Sequence, residues 1–310
     1  MNNLEPINQT KLYGLDKFLN ELIRLYKKKI YPNKILLSGP KGSGKSTLAF
    51  HFINYVLTLN EKYHYDVQNF TINTESSEFK TIINKSNTNL IIIDVNLEKK
   101  VIDINQIRNL INSLNKSSFN NKPRFVLIDN IELLNINSVN ALLKILEEPN
   151  KDINFILIHN NKKILSTLLS RCINFKISLS NKESLDISNH LLNNNIENII
   201  SNEILNYYMT PGEIYHLNKF AIQNNYDLSK IKLKEFFKIL IKDGQYKKND
   251  FVNNIMYNLI ELYFRESNSS FSKLVYEKYS YFLKRVSDTK NYNLDKEILF
   301  MEFEDKILNG

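Results

Sequence analysis

The chain has 310 residues, a net charge of +8, and hydrophobic and charged fractions of 43% and 24%, which predict a soluble globular protein of about two domains. No apolar run approaches the roughly 18–20 residues that cross a bilayer, and the first residues lack the pattern of a secretory signal, so we expect a cytoplasmic protein without membrane partners. The single cysteine, Cys172, excludes an internal disulfide framework and a multi-cysteine zinc site. The positive charge suits a nucleic-acid partner, although a chain this rich in Asn, Lys and Ile acquires such a charge without one.

The first half of the chain alternates between strand and helix patterns. Five short apolar runs predict strands, at residues 34–38, 90–95, 125–129, 155–158 and 173–177. Helices are predicted over residues 46–57 and 103–114, and after the third strand. The helix after the third strand ends at Pro149 and has one apolar face, formed by Val139, Leu142, Leu143 and Leu146. Continuous apolar strands that alternate with helices are typical of a doubly wound α/β domain with a parallel sheet.

The second half of the chain carries helical patterns only. Residues 181–224 indicate short helices around a turn at Pro211-Gly212. Longer helices are predicted from Tyr226 onward, with the last over residues 294–308; one of them is marked by the spacing of Val252, Ile255, Met256, Leu259 and Tyr263. We therefore predict three parts: an α/β core at residues 1–178, a small helical lid at 179–225 and an all-α C-terminal domain at 226–310.

The strongest chemical signal is a glycine-rich loop at residues 39–46 (GPKGSGKS), which lies between the first predicted strand and the first predicted helix. Its spacing fits G-x-x-x-x-G-K-[ST], in which backbone N–H groups and a helix N-terminus wrap phosphates. Lys45 is expected to reach the β- and γ-phosphates and Ser46 to hold Mg²⁺. The predicted ATP site comprises Gly39, Gly42, Gly44, Lys45, Ser46 and Thr47. A plain glycine-rich turn is the alternative, and the flanking strand and helix weigh against it.

The third predicted strand ends at Asp129, which is suited to support the metal. P-loop ATPases of this kind usually carry a Glu at the next position to activate the attacking water. Here Asn130 follows, and an amide cannot accept a proton. On an extended segment Glu132 lies one side-chain alternation beyond Asn130, so we do not expect it to take over this role. The sequence therefore predicts ATP binding with weak hydrolysis.

Several segments together resemble bacterial DNA polymerase III clamp-loader subunits, which are AAA+ proteins. Residues 128–135 (IDNIELLN) lead into residues 140–149 (NALLKILEEP), a run that is specific to this family. Residues 164–172 (ILSTLLSRC) resemble its Ser-Arg-Cys motif. Residues 101–110 (VIDINQIRNL) and 291–300 (NYNLDKEILF) resemble the segment before the acidic strand and the C-terminal segment. The resemblance covers most of the α/β core and the end of the chain.

This resemblance implies an AAA+ core, a lid and a C-terminal collar domain in one member of a five-subunit arc. Such arcs contain gamma/tau and delta subunits, open a ring-shaped sliding clamp, and close it on primed DNA with the use of ATP. Their ATP sites lie at subunit interfaces, where the arginine of the Ser-Arg-Cys motif reaches the phosphates of a neighbour. Arg171 is that residue here, and a surface arginine in an ion pair is the plainer alternative.

The resemblance also assigns roles to single residues elsewhere in the core. Asn160 matches the polar position that senses the γ-phosphate, and Tyr13 and Gly14 resemble the segment that touches the nucleotide base. Arg108 and Lys144 fall where family members present basic groups to the DNA backbone. The plainer alternatives are a helix-entry turn for the first segment and solvated surface charges for the basic pair.

Within the family, four observations favour the delta-prime type over the gamma/tau motor. Asn130 stands where a motor has Glu, and no cysteine lies between Ser46 and Asp129, where motors usually carry a zinc module. No Arg or Lys lies between Met209 and Asn218, where a motor's lid presents a phosphate-sensing arginine, and the chain ends soon after the predicted collar. The complete glycine-rich loop at residues 39–46 instead favours the gamma/tau motor, because some delta-prime subunits have lost this loop. The alternatives are a gamma/tau-type motor ATPase, here or in a helicase loader, and a scaffold with a vestigial nucleotide site.

Overall fold

The computed structural model describes residues 4–95, 100–115, 120–147, 152–162, 164–266, 273–292 and 294–309. The predicted helix end at Pro149 lies outside these residues. Contacts divide the chain into two compact units, Met1–Ile187 and Ser188–Gly310. The lid and collar boundaries at residues 178 and 225 stay predictions.

The first unit contains five strands and six helices among the described residues, and a seventh helix runs across the division. The strands are β1 (Lys34–Ser38), β2 (Leu90–Ile93), β3 (Arg124–Ile128), β4 (Ile153–His159) and β5 (Ile173–Lys176). The helices are α1 (Asp16–Lys27), α2 (Lys45–Leu57), α3 (Ser77–Ile83), α4 (Ile104–Leu114), α5 (Ile136–Glu147), α6 (Ser166–Leu169) and α7 (Asn181–Leu192). Short 3₁₀ turns lie at Pro6–Asn8 and Ile131–Leu133.

The strands form one parallel sheet in the order β2-β3-β4-β1-β5. All five predicted strands are present, with ends within two residues of the predicted ones. β1 lies between β4 and β5, and Ser38 at its carboxyl end is paired with His159. The segments that follow β1 and β4 therefore leave the sheet side by side.

Helices cover both faces of this sheet, which explains why its strands are apolar at consecutive positions. Val126 and Ile128 point to one face and belong to a buried cluster with residues of α4 and α5. Phe125 points to the other face, where its ring lies 6.2 Å from that of Phe52 in α2. Each buried side chain of this size contributes about 1.5–3 kcal/mol when it leaves water. The continuous apolar runs that predicted the strands therefore reflect burial on both faces of the sheet.

The second unit is helical throughout its described part. After the end of α7 it contains α8 (Asn202–Leu205), α9 (Pro211–Gln223), α10 (Leu233–Lys242), α11 (Gln245–Lys248), α12 (Asp250–Glu266), α13 (Lys273–Tyr292) and α14 (Lys296–Phe303). A 3₁₀ turn lies at Ile196–Asn198, and a π-helical turn at Glu304–Leu308 extends α14, so the predicted last helix is confirmed. Aromatic rings from four helices meet in its core; they belong to Phe237, Tyr263, Phe264, Phe282 and Phe303.

The turn predicted at Pro211-Gly212 is wrong, because these residues begin α9. The Thr210 side chain caps the helix by accepting from the backbone N–H of Glu213, whose own side chain accepts from the Thr210 backbone. Proline is well suited to the first helical position, where its missing N–H has no partner to lose. A Pro-Gly pair after a capping residue is therefore a helix start here rather than a chain reversal. In the described part of the chain, no helix combines the length and apolar character needed to span a bilayer.

Candidate nucleotide site at the carboxyl edge of the sheet

The glycine-rich loop follows β1 and ends at the first residue of α2, in the strand–loop–helix context that the sequence predicted. A Cβ atom on Gly39 would lie 2.2 Å from the backbone oxygen of Ile177, and one on Gly44 would lie 2.9 Å from the Leu15 side chain. Gly42 and Gly44 have φ angles of 85° and 84°, which side-chain-bearing residues rarely adopt. The loop is thus a tight backbone cradle that only glycine permits at these positions.

Lys45, the first residue of α2, is buried with its ammonium group inside the loop. Its Nζ donates to the carbonyl oxygens of Gly39 at 2.9 Å and Pro40 at 2.5 Å. Burial lowers the pKa of Lys45 to about 8, although the carboxylates of Asp129 and Glu132 act in the opposite direction. A cation that has lost most of its water is well placed to gain from an anionic ligand.

Ser46 and Asp129 are in direct contact, as expected of two residues that share one metal. The Ser46 hydroxyl donates to Oδ2 of Asp129 at 2.5 Å. Burial raises the pKa of Asp129, the Ser46 hydroxyl opposes this rise, and the neighbouring carboxylate of Asp94 adds to it. A divalent cation would offset this desolvation, and hydroxyl and carboxylate oxygens are the ligands that Mg²⁺ prefers. Thr47 is half-buried in the first turn of α2, next to this pair.

Asn130 and Asn160 are hydrogen-bonded to each other at the ends of β3 and β4. Nδ2 of Asn160 donates to Oδ1 of Asn130 at 2.8 Å, and Nδ2 of Asn130 donates to Oδ1 of Asp94 at 2.7 Å. Asn130 has φ 54° and ψ 47°, a left-handed conformation that asparagine tolerates better than most residues. The structure therefore places Asn160, the residue predicted to sense the γ-phosphate, in contact with Asn130, which stands where a catalytic Glu is usual.

The prediction that Glu132 lies on an extended segment is wrong. The left-handed Asn130 turns the chain into the 3₁₀ turn Ile131–Leu133, which directs Glu132 back toward Asn160. Oε1 of Glu132 accepts from Nδ2 of Asn160 at 3.0 Å, and Oε2 accepts from the Asn160 backbone N–H at 3.3 Å. Glu132 is therefore part of the candidate site, although the alternation of side chains along an extended segment predicts otherwise.

Asp94 and Glu132 are the two site residues that the sequence reasoning missed. For Asp94 a signal was present, because it directly follows an apolar strand, as Asp129 does. The carboxyl ends of adjacent parallel strands meet at one edge of a sheet, and β2 pairs with β3. For Glu132 no such signal existed, since its direction depends on one left-handed residue.

Arg171 lies just after α6, and its described hydrogen bonds are not to the phosphate loop. Its guanidinium is 2.5 Å from Oε1 of Glu147 and donates to the carbonyl oxygen of Thr167 at 2.9 Å. Its side chain retains 30% of its solvent exposure. The adjoining Cys172 is half-buried against the hydrophobic cluster of the first unit, and burial raises the pKa of its thiol to about 11.

The remaining predicted site residues lie apart from the phosphate loop in sequence. Tyr13 is half-buried, and Gly14 has φ 66° in a tight approach to the Ile187 side chain. Arg108 on α4 and Lys144 on α5 are both exposed, and these two helices pack against each other. The basic pair is therefore available to solvent on neighbouring helices of the first unit.

Comparison with known proteins assigns the family. The family model described as DNA polymerase III, delta subunit matches residues 14–181, which is more than half of the chain and includes the glycine-rich loop, Asp129, Asn160 and Arg171. The chain belongs to this family. The predicted delta-prime-type clamp-loader subunit is thereby confirmed, and with it a place among DNA replication proteins.

Relatives named DNA polymerase III subunit delta' support this assignment of the delta-prime-type chain. One from Buchnera aphidicola subsp. Schizaphis graminum is 33% identical over 190 residues, which is 61% of this chain and 55% of that protein. One from Pseudomonas aeruginosa is 30% identical over 142 residues, which is 44% of this chain and 40% of that protein. The chain thus spans about half the length of these relatives.

A solved structure confirms the fold class of the delta-prime-type chain. The gamma subunit-related protein of DNA polymerase III from Thermotoga maritima has a TM-score of 0.52 at 18% identity, and the match covers 92% of this chain and 96% of that one. At this identity the likeness concerns the fold alone. The predicted α/β core with a parallel sheet, followed by a helical C-terminal region, is confirmed.

Proposed function

We propose that this delta-prime-type subunit binds ATP and Mg²⁺ at residues 39–46, hydrolyses ATP weakly, and contributes Arg171 to the ATP site of a neighbouring subunit. The clamp loader that it joins with gamma/tau and delta subunits loads a sliding clamp onto primed DNA. The contact between Ser46 and Asp129 beside a buried Lys45 is the observation that carries the nucleotide site. Ser46 and Asp129 would hold the metal, which would supply positive charge against the phosphates.

Weak hydrolysis follows from the residues that surround the predicted phosphate position. Asn130 offers an amide, which holds Asp94 and Asn160 by hydrogen bonds but cannot accept a proton from water. Lys45 and the loop's N–H groups are nevertheless suited to hold the phosphates. Turnover by the isolated chain at motor rates would favour the gamma/tau alternative, and absence of nucleotide binding would favour the scaffold alternative.

The role of Arg171 is supported by the way its side chain is held. One terminal nitrogen of the guanidinium donates to Glu147 and the other to the Thr167 carbonyl, and part of the side chain stays exposed. A planar guanidinium has five N–H donors, so donors remain for phosphate oxygens of another chain. An arginine supplied in trans accelerates phosphoryl transfer by about 10³–10⁵-fold at its site.

We predict that Arg171→Ala lowers the ATP turnover and clamp loading of the reconstituted complex, because the neighbour's transition state loses one positive charge. At that neighbouring site the loss is expected to be about 10³-fold, while sites completed by other subunits keep their activity. ATPase and clamp-loading assays of the complex measure both effects.

The matched control is Arg24→Ala, which removes an exposed arginine from α1. Thermal unfolding should show both variants folded, since an exposed ion pair contributes about 0–1 kcal/mol. Loading by the Arg171→Ala complex at the control rate would exclude the role in trans.

A further inference from the structure

The Glu132 carboxylate accepts hydrogen bonds from two N–H groups of Asn160. One carboxylate oxygen accepts from the Asn160 side chain at 3.0 Å and the other from its backbone N–H at 3.3 Å. Both residues are half-buried, so water screens this contact incompletely. An anionic group thus already satisfies the residue at the predicted γ-phosphate position.

The sheet brings this pair close to the phosphate loop. β4 lies next to β1, and the backbone N–H of Gly39, the first residue of the loop, donates to the carbonyl oxygen of His159 at 3.2 Å. Asn160 is the next residue, and the Lys45 ammonium group is bonded to the Gly39 carbonyl. The Glu132 carboxylate is also close enough to Lys45 to raise its pKa against the effect of burial.

A terminal phosphate that approaches Asn160 therefore meets a carboxylate rather than an open pair of donors. It must displace Glu132 from Asn160 and then remain beside its negative charge. A diphosphate ends before this position and avoids most of this repulsion. Asp94 is a carboxylate of the same edge, but its side chain accepts from Asn130 and from the backbone N–H of Val95 rather than from Asn160.

We propose that Glu132 sets the nucleotide preference of this site, by opposing a terminal phosphate and so favouring a nucleoside diphosphate over a triphosphate. The inference rests on the proposed nucleotide binding at residues 39–46 and concerns which nucleotide the site retains. At equal concentrations of the two nucleotides, a site with this preference is occupied mainly by the diphosphate.

The test measures the affinity of the full chain for Mg·ADP and for Mg·AMP-PNP, a non-hydrolysable triphosphate, by titration calorimetry. Glu132→Gln keeps the shape and one acceptor oxygen but removes the charge. We expect this variant to raise the affinity for AMP-PNP relative to ADP by about tenfold, as the loss of one close charge–charge repulsion implies. Glu132→Ala offers the same comparison if the glutamine variant does not fold.

The matched control is Glu21→Gln, which removes an exposed carboxylate from α1, outside the candidate site. Its effect on the ratio of the two affinities should be smaller than about threefold. An unchanged ratio in Glu132→Gln, with both nucleotides bound, would overturn the inference. Loss of slow ATP turnover with an unchanged ratio would assign Glu132 a proton-accepting role instead. Binding of neither nucleotide by the wild type would overturn the proposed nucleotide site and the inference together.

Discussion

Asn130 illustrates how one residue sets both the backbone and the chemistry of a site. Its left-handed conformation turns the chain after β3, and its side chain joins Asp94 to Asn160. Asparagine adopts this conformation at lower cost than glutamate, because its short amide bonds locally to the backbone. The absence of a Glu at this position thus coincides with a backbone geometry that disfavours one.

We predict that Asn130→Gly is more stable than Asn130→Ala by about 1 kcal/mol, because only alanine places a Cβ atom in the left-handed conformation. Both variants lose the same side-chain hydrogen bonds, so the difference between their free energies of unfolding isolates the effect of the backbone conformation. Unfolding in urea measures both free energies. Equal stabilities would show that the turn relaxes when Asn130 is replaced.

Among the elements, α2 is held in place by a buried histidine as well as by apolar packing. Nδ1 of His51 accepts from the Tyr65 hydroxyl at 2.8 Å, and Nε2 donates to the carbonyl oxygen of Gln9 at 3.0 Å. The neutral ring therefore joins α2 to the segment before α1 and to the loop after α2. Burial lowers the pKa of His51 from 6.5 to about 4, so the folded protein keeps the ring neutral.

This arrangement predicts loss of stability in mild acid. Since the unfolded chain binds the proton at higher pH than the folded one, the contribution of His51 is complete above about pH 6.5 and is lost as the pH falls toward 4. We expect a loss on the order of 2 kcal/mol over this range that is absent from His51→Gln. Unfolding free energies at several pH values test this.

The control for the acid effect is His64→Gln, which replaces an exposed histidine in the same region. That variant should follow the wild-type pH dependence. An identical dependence in His51→Gln and the wild type would contradict the assignment.

At the scale of the whole molecule, each unit combines a dense interior with a charged surface. In the first unit the candidate nucleotide site lies at the carboxyl edge of the sheet, while Arg108 and Lys144 are exposed on α4 and α5. The net charge of +8 alone does not locate a nucleic-acid surface. The DNA contacts predicted from sequence at Arg108 and Lys144 are exposed on two helices that pack together, so this prediction can be tested directly.

We predict that the double variant Arg108→Ala/Lys144→Ala weakens binding of the reconstituted complex to primed DNA, because each cation neutralises one phosphate. The slope of log affinity against log salt should become less steep by about 2, with little effect on sequence preference. Fluorescence anisotropy at several salt concentrations measures the slope. Lys27→Ala/Lys28→Ala, a pair of exposed lysines at the end of α1, is the control. The same slope in both double variants would exclude the proposed contact.

The sequence by itself determined the α/β core, its five strands, the glycine-rich loop between β1 and α2, and the position of Asp129 at the end of β3. These features depend on local patterns and on the rule that parallel strands end at one edge. Only the tertiary structure decided that Glu132 joins that edge and that its carboxylate bonds to Asn160. The reason is physical: a left-handed residue reverses the direction of the next side chains, and contacts between neighbouring strands join residues that are far apart in the chain.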